Sequence, residues 1–141
     1  MDREPAGAYD LLIIDAFSSD AVPTHLLTVE AIRGYLRLLS PDGVVVLHLS
    51  NRNLEITLPA EAAAQALGAP HLHQVYIERQ GLGQMAEAST EALLIGKSQA
   101  AMAGFDEDRR WRSLASTDVR PWTDDYVNLF GSLVRQMEMS R

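Results

Sequence analysis

The stretch Tyr9-Asp10-Leu11-Leu12-Ile13-Ile14-Asp15-Ala16-Phe17-Ser18-Ser19-Asp20 decides the fold, because four consecutive aliphatics end abruptly in carboxylates and small residues. A short apolar run without polar alternation reads as a strand buried on both faces, the habit of parallel sheets covered by helices. Open sheets of that kind bind ligands in the crevice beyond the carboxyl ends of their strands. Asp15 and Asp20 stand at such an end.

Downstream, a loop over residues 15–27 carries Ser18, Ser19, Asp20 and Pro23. Thr28 is placed to cap a helix in which Ile32, Tyr35, Leu36 and Leu39 recur at helical spacing, and Pro41-Asp42-Gly43 closes it. The run Val44-Val45-Val46-Leu47-His48-Leu49 repeats the buried-strand pattern and stops at Ser50-Asn51-Arg52-Asn53, again polar residues at a strand's carboxyl end. Strand, helix and strand joined in this way form a right-handed unit with parallel strands. A second helix is expected over residues 59–67, with Pro59 in its first turn and Gly68 at its stop.

After Gly68 the pattern changes. Residues 71–79 and 91–97 both read as strands, and the gap between them of about ten residues is too short for a parallel crossover, which needs roughly 10 to 12 residues including its helix. They are expected to pair as an antiparallel hairpin. Residues 106–113 read as a short helix and Pro121-Trp122-Thr123-Asp124-Asp125 as a turn. Residues 126–137 read as a closing amphipathic helix using Leu129, Phe130, Leu133 and Val134. The fold class is therefore α/β, with parallel strands followed by an antiparallel hairpin.

A chain of 141 residues, 47% hydrophobic, is enough for one domain with a real core, and no stretch approaches the roughly 18 to 20 apolar residues that span a bilayer. Met1-Asp2-Arg3-Glu4-Pro5 offers neither a basic n-region nor an apolar h-region, so a cytoplasmic location is the expectation. With no cysteine there is neither a disulfide framework nor a thiolate metal site. A net charge of -7 argues against a nucleic-acid partner. It suits a cationic ligand such as a polyamine, although acidity is ordinary in soluble proteins.

Each candidate site residue has a plain alternative. Asp15 can accept a proton from an attacking amine or hold a substrate ammonium; it can equally bond loop N–H groups and organise the turn. Asp20, with Ser18 and Ser19, is a second cation-holding candidate, and Asx and Ser turns account for the same residues. Ser50, Asn51 and Arg52 line the same crevice or satisfy the amides opening the next segment. Asp124 and Asp125 beside Trp122 and Tyr126 offer carboxylates and an aromatic face to a cation, or Thr123 or Asp124 caps the closing helix. Gly81-Leu82-Gly83-Gln84-Met85-Ala86 matches G-x-G-x-x-A, but a hairpin loop wants glycines anyway. His71 and His73 share one strand face, yet no third metal ligand stands at recognisable spacing, and structural histidines are the expected reading. Ser18, Ser19 and Ser50 lack the G-x-S-x-G elbow of a serine hydrolase.

Taken together, YDLLIIDAFSSDAVPTHLLT, the helix ending LSPDG, VVVLHLSNR and PWTDDYVNL resemble the C-terminal half of spermidine-synthase-like proteins, the polyamine aminopropyltransferases. The similarity runs from about Tyr9 to Leu129. It implies the C-terminal half of a Rossmann-like fold of the class I methyltransferase type, whose seven-stranded sheet has its last strand antiparallel and inserted beside its neighbour. It implies aminopropyl transfer from decarboxylated S-adenosylmethionine to a polyamine such as putrescine. In the family, the Asp ending the strand before the gate loop helps deprotonate the attacking amine and a second Asp holds the diamine; by motif position these fall on Asp15 and Asp20. The family's D-S-S-D-P has two residues between its aspartates, whereas Asp15 and Asp20 have four.

The same resemblance makes residues 1–141 a single partial domain, since the family's cofactor-binding strand, Gly-rich loop and ribose-holding carboxylate precede the matched part. The chain alone is then expected to bind no decarboxylated S-adenosylmethionine and to be inactive: another chain supplies that half, two copies pair as a homo-oligomer, or the chain is a fragment. Its first strand, central in the complete fold, would otherwise expose an unpaired edge. Two other readings remain beside this one: a non-catalytic interaction module, and half of an S-adenosylmethionine-dependent methyltransferase.

Overall fold

The two apolar runs form β1 (Tyr9–Ile14) and β2 (Leu39–His48), which lie side by side and parallel as the sequence predicts. The computed structural model of the chain describes residues 4–17, 22–51, 54–77 and 89–140. Ser18, Ser19, Asp20, Arg52 and the glycine motif 81–86 lie outside the described residues.

Between the strands runs α1 (Val29–Leu38), capped as expected by Thr28, whose hydroxyl oxygen accepts the Ala31 N–H at 3.2 Å. The helix does not close on Pro41-Asp42-Gly43. It passes into extended backbone at Leu39, and residues 41–43 are absorbed into β2 as an irregularity: from the Tyr9–Leu39 pair to the Leu11–Val44 pair, β1 advances two residues while β2 advances five. Gly43 is required there, because a Cβ would sit 2.8 Å from the Tyr9 carbonyl oxygen.

α2 (Thr57–Ala66) starts two residues earlier than expected, where the Glu55 carboxylate accepts the Leu58 N–H at 2.7 Å. It stops at Gly68, whose φ of +63° lets the chain turn back so that Ala69 N–H reaches the Ala64 carbonyl. β3 (His71–Tyr76) and β4 (Thr90–Gly96) form the antiparallel pair that the short gap demands. β4 also pairs antiparallel with β2, giving a four-stranded mixed sheet in the order β1-β2-β4-β3.

One sheet face is covered by α1 and α2, with Phe17, Ile32, Tyr35, Leu47, Leu93, Ile95 and Trp122 among the core residues. On the other face Val44, Leu72 and Leu94 meet Ala101 and Met102, flanked by Phe105 and Trp111 packed edge to face at 6.2 Å. This second cover falls on β2, β4 and β3. Burial of β1 on both faces is therefore not what the structure has: Leu12 and Ile14 touch the core, while Leu11 and Ile13 are 52% and 64% exposed.

Two further expectations are corrected. Residues 106–113 are a succession of turns rather than a helix, and Arg112 exchanges two backbone hydrogen bonds with His73 on the outer edge of β3. The closing helix α3 is Leu129–Met139, starting after a turn in which Thr123 and Tyr126 bond each other's backbones. Its expected core positions Leu129, Phe130, Leu133 and Val134 are exposed. α3 is held instead by polar contacts, with Arg135 Nε donating to Glu55 at 3.0 Å and the Ser132 carbonyl accepting the Glu55 N–H.

Candidate functional site

Ile14 of β1 lies in register with Leu47 of β2, so one step further along two parallel strands Asp15 stands beside His48. Their side chains meet: His48 Nδ1 is 2.8 Å from Asp15 Oδ1. Ser50, two residues on, brings its Oγ to 2.9 Å from His48 Nε2 and accepts the Glu91 N–H at 2.9 Å. The Asp15 side chain is 60% exposed and that of His48 31%, so the chain of groups opens to solvent at the carboxyl ends of the parallel pair.

Carboxylate, imidazole and hydroxyl in this order match the hydrogen-bond sequence of a serine-hydrolase triad. Ser50 follows β2 without the G-x-S-x-G turn, however, and its oxygen already accepts the Glu91 N–H. The group left open to chemistry is the Asp15 carboxylate, which can take a proton or hold an ammonium.

Asn51 fastens the same end of the sheet. Its amide donates to the Phe17 carbonyl at 2.7 Å and its side-chain oxygen accepts the Leu54 N–H at 3.0 Å, tying the loop after β1 to the loop after β2. These backbone partners correspond to the plain alternative, a residue that satisfies the amides of the next segment. Ser19 and Asp20, the other substrate-binding candidates of this loop, lie outside the described residues.

Asp124 and Asp125 sit in the turn before α3, on the N-terminal end of α1. Asp124 accepts the Thr28 hydroxyl at 2.8 Å, its N–H donates to Glu30, and the Val29 N–H reaches the Trp122 carbonyl at 2.9 Å. Asp124, Glu30 and His25 line a cavity of about 390 Å³. Asp125 is exposed. Neither Thr123 nor Asp124 caps α3; that task falls to Asn128, whose side chain accepts the Gly131 N–H at 2.8 Å. Nor is an aromatic face free for a cation here, since Trp122 is buried in the core and Arg120 lies 3.8 Å over the Tyr126 ring.

A second polar cluster occupies the face under α2. His73 Nε2 is 2.7 Å from Glu91, and His71, whose Nδ1–H donates to the Ala69 carbonyl at 2.8 Å, places Nε2 3.6 Å from Glu61. Glu61 is fully buried and neither carboxylate oxygen has a hydrogen bond among the described residues; burial raises its pKa above the ordinary carboxylate value, against the lowering effect of His71. At Glu91 burial also works against the charge, but hydrogen bonds from His73 and Thr57 outweigh it and hold the carboxyl below its usual range. Among the described residues, no group of three or more histidines and carboxylates is arranged to hold a metal ion.

His48 is the site residue that sequence reasoning passed over. Its signal was present: a histidine interrupting an aliphatic strand, two residues before a serine, opposite an aspartate that ends the neighbouring parallel strand. No known protein family's model and no curated protein matches the chain. Among the described residues, no helix is long and apolar enough to cross a membrane.

Proposed function

We propose that the carboxyl ends of β1 and β2 form the amine-binding side of an aminopropyltransferase-like site. In this reading Asp15 takes a proton from the ammonium of a polyamine such as putrescine, baring the lone pair for attack. The amine attacks the aminopropyl carbon next to the sulfonium of decarboxylated S-adenosylmethionine; the C–N bond forms, the C–S bond breaks, and sulfur keeps the electron pair. Asp20 holds the distal ammonium.

The observation that carries the reading is the exposed Asp15 carboxylate at the end of a parallel strand, held by His48 at one oxygen. The strand order supports it as well. A sheet whose antiparallel β4 lies between β2 and β3 has the arrangement expected for the end of a class I methyltransferase-type sheet. The grip on the sulfonium substrate belongs, in the family resembled, to a Gly-rich loop that no described residue supplies. The test is therefore made with such a half added in cis or in trans: putrescine and decarboxylated S-adenosylmethionine are supplied and spermidine is measured. Spermidine formation that depends on Asp15 supports the reading; formation indifferent to Asp15, or none in a folded complex, contradicts it.

A second reading, a non-catalytic interaction module, is favoured by the apolar surface of β1 and α3. Leu11, Ile13, Phe130 and Met137 are more than half exposed. Loss of a partner through Ile13→Lys, with Asp15→Asn indifferent, would favour that module.

A further inference from the structure

Resting on the reading of Asp15 as a proton acceptor for an amine, we propose that His48 is the positioning residue of the site, locked by Ser50 into the tautomer that presents Nδ1–H to Asp15. An ionised carboxylate only accepts, so the 2.8 Å contact between Asp15 Oδ1 and His48 Nδ1 needs the proton on Nδ1. A neutral imidazole then has its lone pair on Nε2, which must face a donor. Ser50 is that donor: its oxygen accepts the Glu91 N–H at 2.9 Å, leaving the hydroxyl proton to point at Nε2, 2.9 Å away.

All four groups are satisfied by this single assignment. The opposite tautomer would set two lone pairs against each other at 2.8 Å on the Asp15 side, and would turn Ser50 from donor to second-time acceptor, its hydroxyl proton leaving Nε2. Glu91 is itself fixed, since its carbonyl accepts the Leu49 N–H at 2.8 Å within the β2–β4 pairing. The lock thus runs from the backbone of β4 through Ser50 and His48 to Asp15. It pins Oδ1, while Oδ2 has no protein partner among the described residues. What the device supplies is a carboxylate with one oxygen oriented and the other offered to an amine.

Nuclear magnetic resonance on the 141-residue chain, with labelled histidine and aspartate, tests both halves. Long-range proton–nitrogen correlations at a pH where His48 is neutral are expected to place the proton on Nδ1, and Ser50→Ala to shift the balance toward Nε2. An Nε2-protonated or evenly mixed His48 in the wild type overturns the positioning role, whatever putrescine does. Putrescine is then titrated while the Asp15 carboxyl carbon is followed. His48→Ala should weaken the response by about 10-fold, the worth of one hydrogen bond to a charged group. His48→Asn, which keeps a donor near the place of Nδ1, should restore it to within about 3-fold. Equal affinities in wild type and His48→Ala overturn the proposal. A wild type with the Nδ1 proton but no response of Asp15 to putrescine overturns the amine reading of the site and, with it, the task assigned to His48; the tautomer result tells that failure apart from the first.

Discussion

The His48 imidazole lies 2.8 Å from the Asp15 carboxylate, across two parallel strands whose last paired residues are Ile14 and Leu47. Strand register alone brings them together. Neighbouring strands are about 4.8 Å apart, so residues one step beyond a registered pair in the same sense share a face and meet through their side chains. The polar cluster is a direct product of the sheet that the aliphatic runs dictate.

The tie between Thr28 and Asp124 joins the start of α1 to the turn before α3. Thr28→Ala removes both the cap to Ala31 and the hydroxyl donated to Asp124, and is expected to cost about 1 to 2 kcal/mol. A double-mutant cycle with Asp124→Ala, read by urea denaturation, should give a coupling of at least about 0.5 kcal/mol. Strict additivity would mean that the hydroxyl contact contributes nothing.

Trp122 is 1% exposed and its carbonyl holds the Val29 N–H, so its indole belongs to the core and not to a ligand. Trp122→Ala should destabilise the fold by about 3 to 5 kcal/mol. The half-buried Trp111 should cost less. Equal losses, measured by denaturant midpoint at unchanged slope, would contradict the burial argument.

Glu61 gives the pH dependence a sign. Because burial raises its folded-state pKa above the unfolded value, the folded state binds the extra proton, and the stability so gained is present below the unfolded value and lost as pH rises through the folded one. His71 faces Glu61 at 3.6 Å, with His73 and Glu55 the further charges acting on it. Glu91 works in the opposite sense: its lowered pKa contributes stability above the unfolded value that is lost as pH falls through the folded one. The contribution of Glu61, read as the difference in stability between wild type and Glu61→Gln, should therefore fall as pH rises above the ordinary carboxylate value. A difference that does not change with pH would show that Glu61 is not the group responsible.

Leu11 and Ile13 lie on the uncovered face of β1, and β1 is at the edge of the sheet. An open apolar edge strand is a template for association. Sedimentation is expected to report self-association that rises with concentration and is reduced by Ile13→Lys. A chain that stays monomeric at high concentration would contradict this.

The parallel pair, the cap on α1, the stop of α2 and the β3–β4 hairpin were all legible, because each is written in a local pattern: an apolar run, Thr28, Gly68, a short gap. The packing of β4 against β2 is not local, and no residue pattern states it; the family resemblance carried that expectation. The cover on β1 and α3 was misread for one reason. Apolar residues such as Leu11, Ile13 and Phe130 report what a segment can bury, and say nothing of whether a covering element reaches it. At the site, Asp15 was legible as a strand-end carboxylate, and His48 was within reach once the two strands were paired.

The most direct test is the turnover number for aminopropyl transfer to putrescine in Asp15→Asn, with the cofactor-binding half supplied. Asparagine keeps the size of the side chain and a hydrogen-bond acceptor for His48 but removes the base. A general base contributes about 100- to 10,000-fold, so kcat should fall within that range. Asp20→Asn should act chiefly on the KM for putrescine, since holding the distal ammonium serves ground and transition states alike. Wild-type kcat in Asp15→Asn would contradict the account and leave the carboxylate as a turn-former.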